Sequence, residues 1–138
     1  MNAFVDTSSL FKKYVEEGDF EKLDTLLSQV SEIVIAPTTS LEFQSIIQRK
    51  LRDKSLSLEQ AKHVEREFFA DSHYLSVVIW NEALEKAAKK LIMTYPLKTL
   101  DSLQLASGIL SKTDVFVTSD QQLYRFVQQE KLNSVFIP

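Results

Sequence analysis

The sequence contains no cysteine, so a disulfide framework, a thiolate metal site and a cysteine nucleophile are all excluded. Glycine is almost as scarce. Gly18 and Gly108 are the only two, which leaves no glycine-rich phosphate loop and no dinucleotide fingerprint. Two histidines occur, His63 in a polar helical stretch and His73 at an expected loop. Neither has the spacing of a zinc site or a Ser-His-Asp constellation, so both are expected to be structural or at the surface. No apolar run approaches the length that crosses a bilayer, and no basic-then-apolar leader opens the chain. A cytoplasmic protein with no membrane contact is expected. An excess of positive charge is missing too. The formal net charge of −3 gives bulk electrostatics no role in nucleic-acid binding. It does not exclude such binding, because acids gathered around a metal lower the net charge themselves.

What remains is an ordinary globular chain of 138 residues, 44% hydrophobic and 25% charged, the size of one domain over 1–138. Short β-branched or aromatic runs alternate with amphipathic stretches. Strands are expected at Ala3 to Val5, Ile33 to Ala36, Tyr74 to Ile79, Val115 to Thr118 and Val135 to Ile137. Between them, helical spacing places Leu10, Phe11, Tyr14 and Val15 on one face, and Phe20, Leu23, Leu26, Leu27 and Val30 on another. A third helix covers Leu41 to Leu51. A fourth opens at the capping box Ser57-Leu58-Glu59-Gln60. Asn81 is the expected N-cap of a fifth, ended near Tyr95-Pro96. Further helices follow Thr99-Leu100-Asp101 and Ser119-Asp120. Strands separated by helices predict an α/β fold, with a central parallel sheet of about five strands covered on both faces.

Four acids recur at equivalent places in this pattern. Asp6 ends the first strand and Asp120 follows the fourth. Glu42 opens the helix after the second strand, and Asp101 opens a late helix. In a parallel sheet these positions share the carboxyl edge, where open α/β folds bind ligands. Each acid also has a plainer reading. Asp6 and Asp120 suit helix N-caps, Glu42 completes a Thr-Ser-Leu-Glu capping box, and Asp101 suits the positive end of its helix. Carboxylates without histidine or thiolate suit a hard cation such as Mg²⁺ or Mn²⁺, which takes oxygen ligands and retains water. Such an ion can polarise a phosphodiester and activate water. Ser8, Thr118 and Ser119 stand close enough in sequence to hydrogen-bond the ligating groups. Ser8 occupies the place where a haloacid-dehalogenase-type phosphatase needs a second Asp, and the acid pair and late lysine of a response-regulator receiver are not evident.

The segments Phe4 to Leu10, Ser40-Leu41-Glu42-Phe43, Leu100-Asp101-Ser102-Leu103-Gln104-Leu105-Ala106 and Val117-Thr118-Ser119-Asp120 resemble the PIN domain, and among PIN domains the VapC-like toxins. The resemblance covers nearly the whole chain. It implies a three-layer α/β/α sandwich and a Mg²⁺- or Mn²⁺-dependent endoribonuclease acting on RNA. It also implies a homodimer and neutralisation by a cognate antitoxin. Carried over, Asp6, Glu42, Asp101 and Asp120 are the catalytic and metal-binding acids, with Ser8 and Thr118 supporting them. The chain departs from many relatives at Gln104, where a histidine is common, and at Lys98-Thr99. Two rival readings are a PIN-fold nuclease of RNA processing or DNA metabolism outside a toxin pair, and a non-enzymatic partner-binding protein.

Two surface expectations complete the reading. Lys12, Lys13, Arg49, Lys50, Arg52 and Lys54 are candidates for holding an RNA backbone, although cations at a helix C-terminus also complement its dipole. The apolar positions of the first two helices exceed one buried stripe, so they are candidates for self-association or antitoxin capture.

Overall fold

The computed structural model describes residues 1–138. Five strands form one sheet: β1 (Asn2–Val5), β2 (Glu32–Ile35), β3 (Leu75–Val77), β4 (Val115–Thr118) and β5 (Ser134–Phe136). All neighbours run parallel, in the order β3-β2-β1-β4-β5. β1 lies in the middle with Ala3, Phe4 and Val5 fully buried. That explains its unbroken apolar run, since a parallel strand is covered on both faces.

Seven helices connect the strands: α1 (Thr7–Val15), α2 (Phe20–Leu27), α3 (Thr39–Arg52), α4 (Leu58–Ser72), α5 (Glu82–Thr94), α6 (Thr99–Ser111) and α7 (Gln121–Gln129). Their starts follow local chemistry. Ser57 and Gln60 form the expected reciprocal capping box, and Asn81 accepts from the Leu84 amide. The alternation along the strands divides the core in two. Phe4, Val34 and Phe116 point to one face, under Leu84, Ala88 and Leu91 of α5, Leu103 and Ala106 of α6, and Leu123 and Val127 of α7. Ala3, Val5, Ile35, Val115 and Val117 point to the other, under Leu10 of α1 and Leu23 of α2. A smaller cluster of Phe11, Phe43, Ile47, Ala61 and Val64 joins α1, α3 and α4. The result is the three-layer α/β/α arrangement.

Helix α6 is the most deeply set: every residue from Ser102 to Gly108 is buried. It approaches the sheet closely because Gly108 has no side chain. A Cβ there would stand 2.2 Å from the Phe116 ring and 3.3 Å from Phe4. Those two rings pack with centroids 4.9 Å apart, so neither has room to retreat.

Two expectations need correction. The third strand is shorter than Tyr74 to Ile79. Its ladder runs from Leu75 to Val77, Val78 still donates to the Ile35 carbonyl at 3.0 Å, and Ile79 and Trp80 then lie exposed. The neighbouring strand ends at Ile35 and runs into Pro37, so nothing remains to pair with. The apolar positions of the first two helices are not a spare surface either. Leu10, Phe11 and Leu23 are buried, and Tyr14, Leu26, Leu27 and Val30 pack around them. α1 needs a wide apolar face because it meets the sheet on one side and α3 with α4 on another. The exposed large apolar groups instead gather at the β3 edge, at Tyr74, Val77, Ile79 and Trp80.

Candidate functional site

The chain moves outward from β1 to β3 and then returns across the sheet to lay β4 against the other side of β1. The crevice beyond the carboxyl ends of β1 and β4 is therefore the topological switch point. Asp6 and Asp120 are the residues that leave these strands there.

Asp6 is 3% exposed, and its carboxylate accepts three hydrogen bonds. Oδ1 accepts the Ser9 amide at 3.1 Å, capping α1, and the Ser8 hydroxyl at 2.7 Å. Oδ2 accepts the Thr118 hydroxyl at 2.7 Å from the end of β4. The Asp6 amide donates to the Val117 carbonyl at 3.0 Å, which carries the β1–β4 ladder to the site itself. Burial still outweighs these bonds. Desolvation, joined by the negative charge of Asp120, pushes the carboxyl up to about 6 against the lowering effect of Thr118, Ser8 and Ser9.

Asp120 caps α7, its Oδ1 accepting the Leu123 amide at 3.0 Å. Its own amide donates to the Thr118 hydroxyl at 3.1 Å, so Thr118 passes one hydrogen bond from Asp120 to Asp6. The adjacent loops are stitched in the same way. The Ser119 amide donates to Ser8 Oγ at 3.1 Å, and the Ser9 and Ser119 hydroxyls lie 2.8 Å apart. The capping reading and the clustering reading hold together for these two acids, because one carboxylate oxygen suffices for a cap.

Glu42 and Asp101 come from helices. The expected Thr-Ser-Leu-Glu capping box at Glu42 does not form: α3 begins after Thr38, with no side-chain cap. The Glu42 carboxylate is instead held by the Thr38 hydroxyl at 2.6 Å and the Gln104 amide at 3.0 Å. Gln104 is buried on α6, one turn beyond Asp101, and its second N–H donates to Thr7 at 3.0 Å, with Thr39 Oγ1 at 3.3 Å sharing it. Its amide orientation follows from Glu42, since the flipped form would set two oxygens face to face. Asp101 lies in the first turn of α6 and is partly exposed. Desolvation raises its proton affinity, followed by the charges of Asp120 and Glu42, with Lys98 opposing and no hydrogen bond contributing.

The acids are linked through hydroxyls and an amide: Thr118 joins Asp6 to Asp120, and Gln104 joins Glu42 to Thr7 beside Asp6, while the charges of Asp120 and Glu42 both raise the proton affinity of Asp101. No three of them close into a ligand set for one ion. The donors are all carboxylate oxygens, and Asp101 faces two negative neighbours with no hydrogen bond to offset them. That chemistry fits a hard divalent cation held by one or two carboxylates and water, the habit of Mg²⁺, better than an all-protein cage. Asp101 with one of its neighbours Glu42 and Asp120 could hold it; Asp6 accepts two donors on Oδ1 and one on Oδ2, which leaves one lone pair on Oδ2.

Sequence reasoning named Ser8 and Thr118 as supports, and both donate to Asp6. It missed the inner network of Thr7, Thr38, Thr39 and Gln104, treating Gln104 only as a departure from a pattern. A usable signal was present. Gln104 interrupts an otherwise apolar stretch of α6 three residues after Asp101, so both share one helix face. The basic candidates separate. Lys12, Arg49 and Lys50 line a cleft with Ser8 and Ser119, while Lys13 pairs with Asp71 at 3.5 Å. Arg52 and Lys54 are exposed and line none of this cleft.

The profile of the PIN domain matches residues 3–128. No curated protein matches the chain in sequence. Among solved structures, VapBC2 from Rickettsia felis, bound to a DNA fragment from its promoter, is similar over 100% of both chains, with a TM-score of 0.70 and 13% identity. VapBC-1 from nontypeable Haemophilus influenzae covers 99% of this chain and 98% of its own, with a TM-score of 0.66 and 16% identity. A toxin–antitoxin complex from Klebsiella pneumoniae covers 88% and 89%, with a TM-score of 0.64 and 18% identity. At such identities the likeness is one of fold. No helix of the chain is long and apolar enough to cross a membrane.

Proposed function

The chain belongs to the PIN domain family, and on that premise we propose that it is a Mg²⁺- or Mn²⁺-dependent endoribonuclease, the toxin of a toxin–antitoxin pair. The observation that carries the reading is the convergence of Asp6, Glu42, Asp101 and Asp120 at the switch point between β1 and β4. In this reading residues 1–138 form a single nuclease domain acting in the cytoplasm on RNA. A bound divalent ion supplies Lewis-acid polarisation of the phosphodiester and a water made nucleophilic near neutral pH. The chain's own side chains do the rest. Asp101 and Glu42 bring negative charge to the ion, and Gln104 with Thr38 holds Glu42 in place. Asp6 joins the ends of β1 and β4 through Thr118, so that Asp120 is presented at a fixed angle. No buried histidine, cysteine or lysine stands by as a covalent nucleophile, which favours direct attack by water.

The likeness of the fold to chains in toxin–antitoxin complexes supports an antitoxin as partner. The exposed apolar groups at the β3 edge offer the contact area that an antitoxin or a second copy in a homodimer would cover.

The test is cleavage of a mixed single-stranded RNA pool. Purified protein should cut it with Mn²⁺ or Mg²⁺ and stop when a chelator is added. Asp101→Asn should lose activity by more than the roughly 10–100-fold cost of removing a group one shell from a metal, with an unchanged circular-dichroism spectrum. Full cleavage by a folded Asp101→Asn protein would remove this mechanism.

A further inference from the structure

Beside the acids lies a second feature of opposite sign. A cleft of about 240 Å³ opens between α1 and the C-terminal part of α3, lined by Ser8, Lys12, Glu17, Arg49, Lys50 and Ser119, with Phe11 and Ile46 at its base. We propose that this cleft is a subsite for a backbone phosphate of single-stranded RNA, next to the phosphate that would be cut; this rests on the nuclease reading above.

The charge balance points that way. Three cations and one carboxylate line the cleft, in a protein whose net charge is −3. Lys50 is already neutralised by Glu17 at 3.1 Å, and its ammonium lies 5.8 Å from the Phe11 ring centroid. Lys12 donates to a main-chain oxygen of Pro138, the last residue, at 3.3 Å. Arg49 is exposed and forms no ion pair. It shares its field with Asp53, four residues on, but with no ion pair its guanidinium keeps a planar fork free to suit a phosphodiester.

The position is as telling as the charge. The inner wall is Ser8, whose hydroxyl donates to Asp6 at 2.7 Å and accepts the Ser119 amide at 3.1 Å. An anion in the cleft is thus one side chain away from the acid cluster. Four carboxylates repel an approaching polyanion, so a strand reaching them needs compensating cations along its path. Helix dipoles account for basic residues in the last turns of α1 and α3. A solvated cation serves that purpose on any side of its helix, however. Lys12 and Arg49 come from different helices and face the same cleft. Contacts of this kind position a strand without reading its sequence.

Binding is measured with a short fluorescein-labelled single-stranded RNA under chelator, so that nothing is cut, and cleavage is measured separately with Mn²⁺. Arg49→Glu should weaken binding about tenfold whatever the RNA sequence. It should also flatten the salt dependence by about 0.7 in log K against log salt, the share of one phosphate contact on a single strand. The neutral variant Arg49→Gln should fall between wild type and Arg49→Glu, and it guards against a folding defect in the reversal. Lys89→Glu, on the opposite layer, is the charge-matched control and should change binding less than twofold. Equal losses in Lys89→Glu and Arg49→Glu would overturn the subsite in favour of diffuse attraction. Wild-type affinity in both Arg49 variants, with wild-type cleavage, would overturn the subsite and leave the nuclease reading standing. Weakened binding in the Arg49 variants, with RNA left intact by wild type and Mn²⁺, would uphold the subsite and sink the nuclease reading. No binding by wild type would overturn the subsite outright. Unchanged RNA affinity, with a poly-glutamate peptide bound by wild type and lost by Arg49→Glu, would assign the cleft to an acidic protein segment instead and overturn the proposal.

Discussion

The two halves of the acid site are built on different principles. Asp6 and Asp120 sit where strands end, each held by backbone amides and hydroxyls of its own turn. Glu42 and Asp101 sit on the first turns of long helices. Glu42 is tethered by side chains alone, and no hydrogen bond stabilises the charge of Asp101. Within the strand-borne half Asp6 is buried, at the cost of a carboxyl that resists ionising, while Asp120 caps its helix and is partly exposed. The helix-borne half is partly exposed and keeps free lone pairs. A divalent ion needs such lone pairs, while the scaffold needs the rigidity. The difference suggests that Asp6 serves geometry first, and Asp101 charge.

The largest expected effect probes the buried half. With its proton affinity raised to about 6 from 3.8, Asp6 favours the fold fully below the unfolded-state value. That contribution is lost as pH rises through 6. In metal-free buffer the loss between about pH 4 and 6.5 is about 2 kcal/mol. Asp6→Asn should lack this component, so its stability should fall less than that of wild type over the same window in urea melts. Parallel curves would mean that Thr118, Ser8 and Ser9 already offset the burial, and the contrast between the halves would narrow.

Thr118→Val is the next in size. It removes the hydroxyl that links Asp6 to Asp120 while keeping the shape, leaving a buried oxygen of Asp6 without its donor. The cost should be about 1–3 kcal/mol near neutral pH. It should shrink as Asp6 is protonated. A cost that is the same at pH 4.5 and 7.5 would assign Thr118 to packing rather than to the carboxylate.

The smallest effect tests the exposed half. With a Kd of about 1 mM, roughly 10 mM Mg²⁺ adds about 1.4 kcal/mol to the folded state, a rise in Tm of about 3–6 °C for a domain of this size. Asp101→Asn should melt at or above metal-free wild type, because burial, Asp120 and Glu42 all disfavour its charge. It should lose most of the Mg²⁺ response at matched ionic strength. A destabilised Asp101→Asn protein, with wild type indifferent to Mg²⁺ and Mn²⁺, would make Asp101 a helix-terminus residue and nothing more.

Much of this was legible before the fold was in hand, for reasons that differ by residue. Asp6 and Asp120 were readable because a buried run followed by Asp and small hydroxyls signals both a strand end and an N-cap. The starts of α4 and α5 were readable from Ser57 and Asn81 for the same local reason. The capping box at Glu42 was misread because its pattern matches that motif, and only the Thr38 and Gln104 side chains decide which way the carboxylate turns. The short β3 was misread because its apolar residues promise a longer ladder. A ladder's length, however, is set by its partner, and β2 ends at Ile35.

The amino-acid order by itself determined the elements, the hard-oxygen character of the donors and the carboxyl-edge position of each acid. Helix periodicity, caps and strand runs depend on neighbours within a few residues, and the donor types are simply the residues present. Tertiary structure decided which polar groups are buried together and which apolar groups are left outside. Thr118 reaches Asp6 across 112 residues, and Gln104 reaches Thr7 across 97. The apolar face of α1 disappears under α3 and α4, while Tyr74 and Trp80 at the sheet edge stay exposed. Burial and the field at a carboxylate sum over everything packed nearby, whatever its distance along the chain. No local pattern contains that sum.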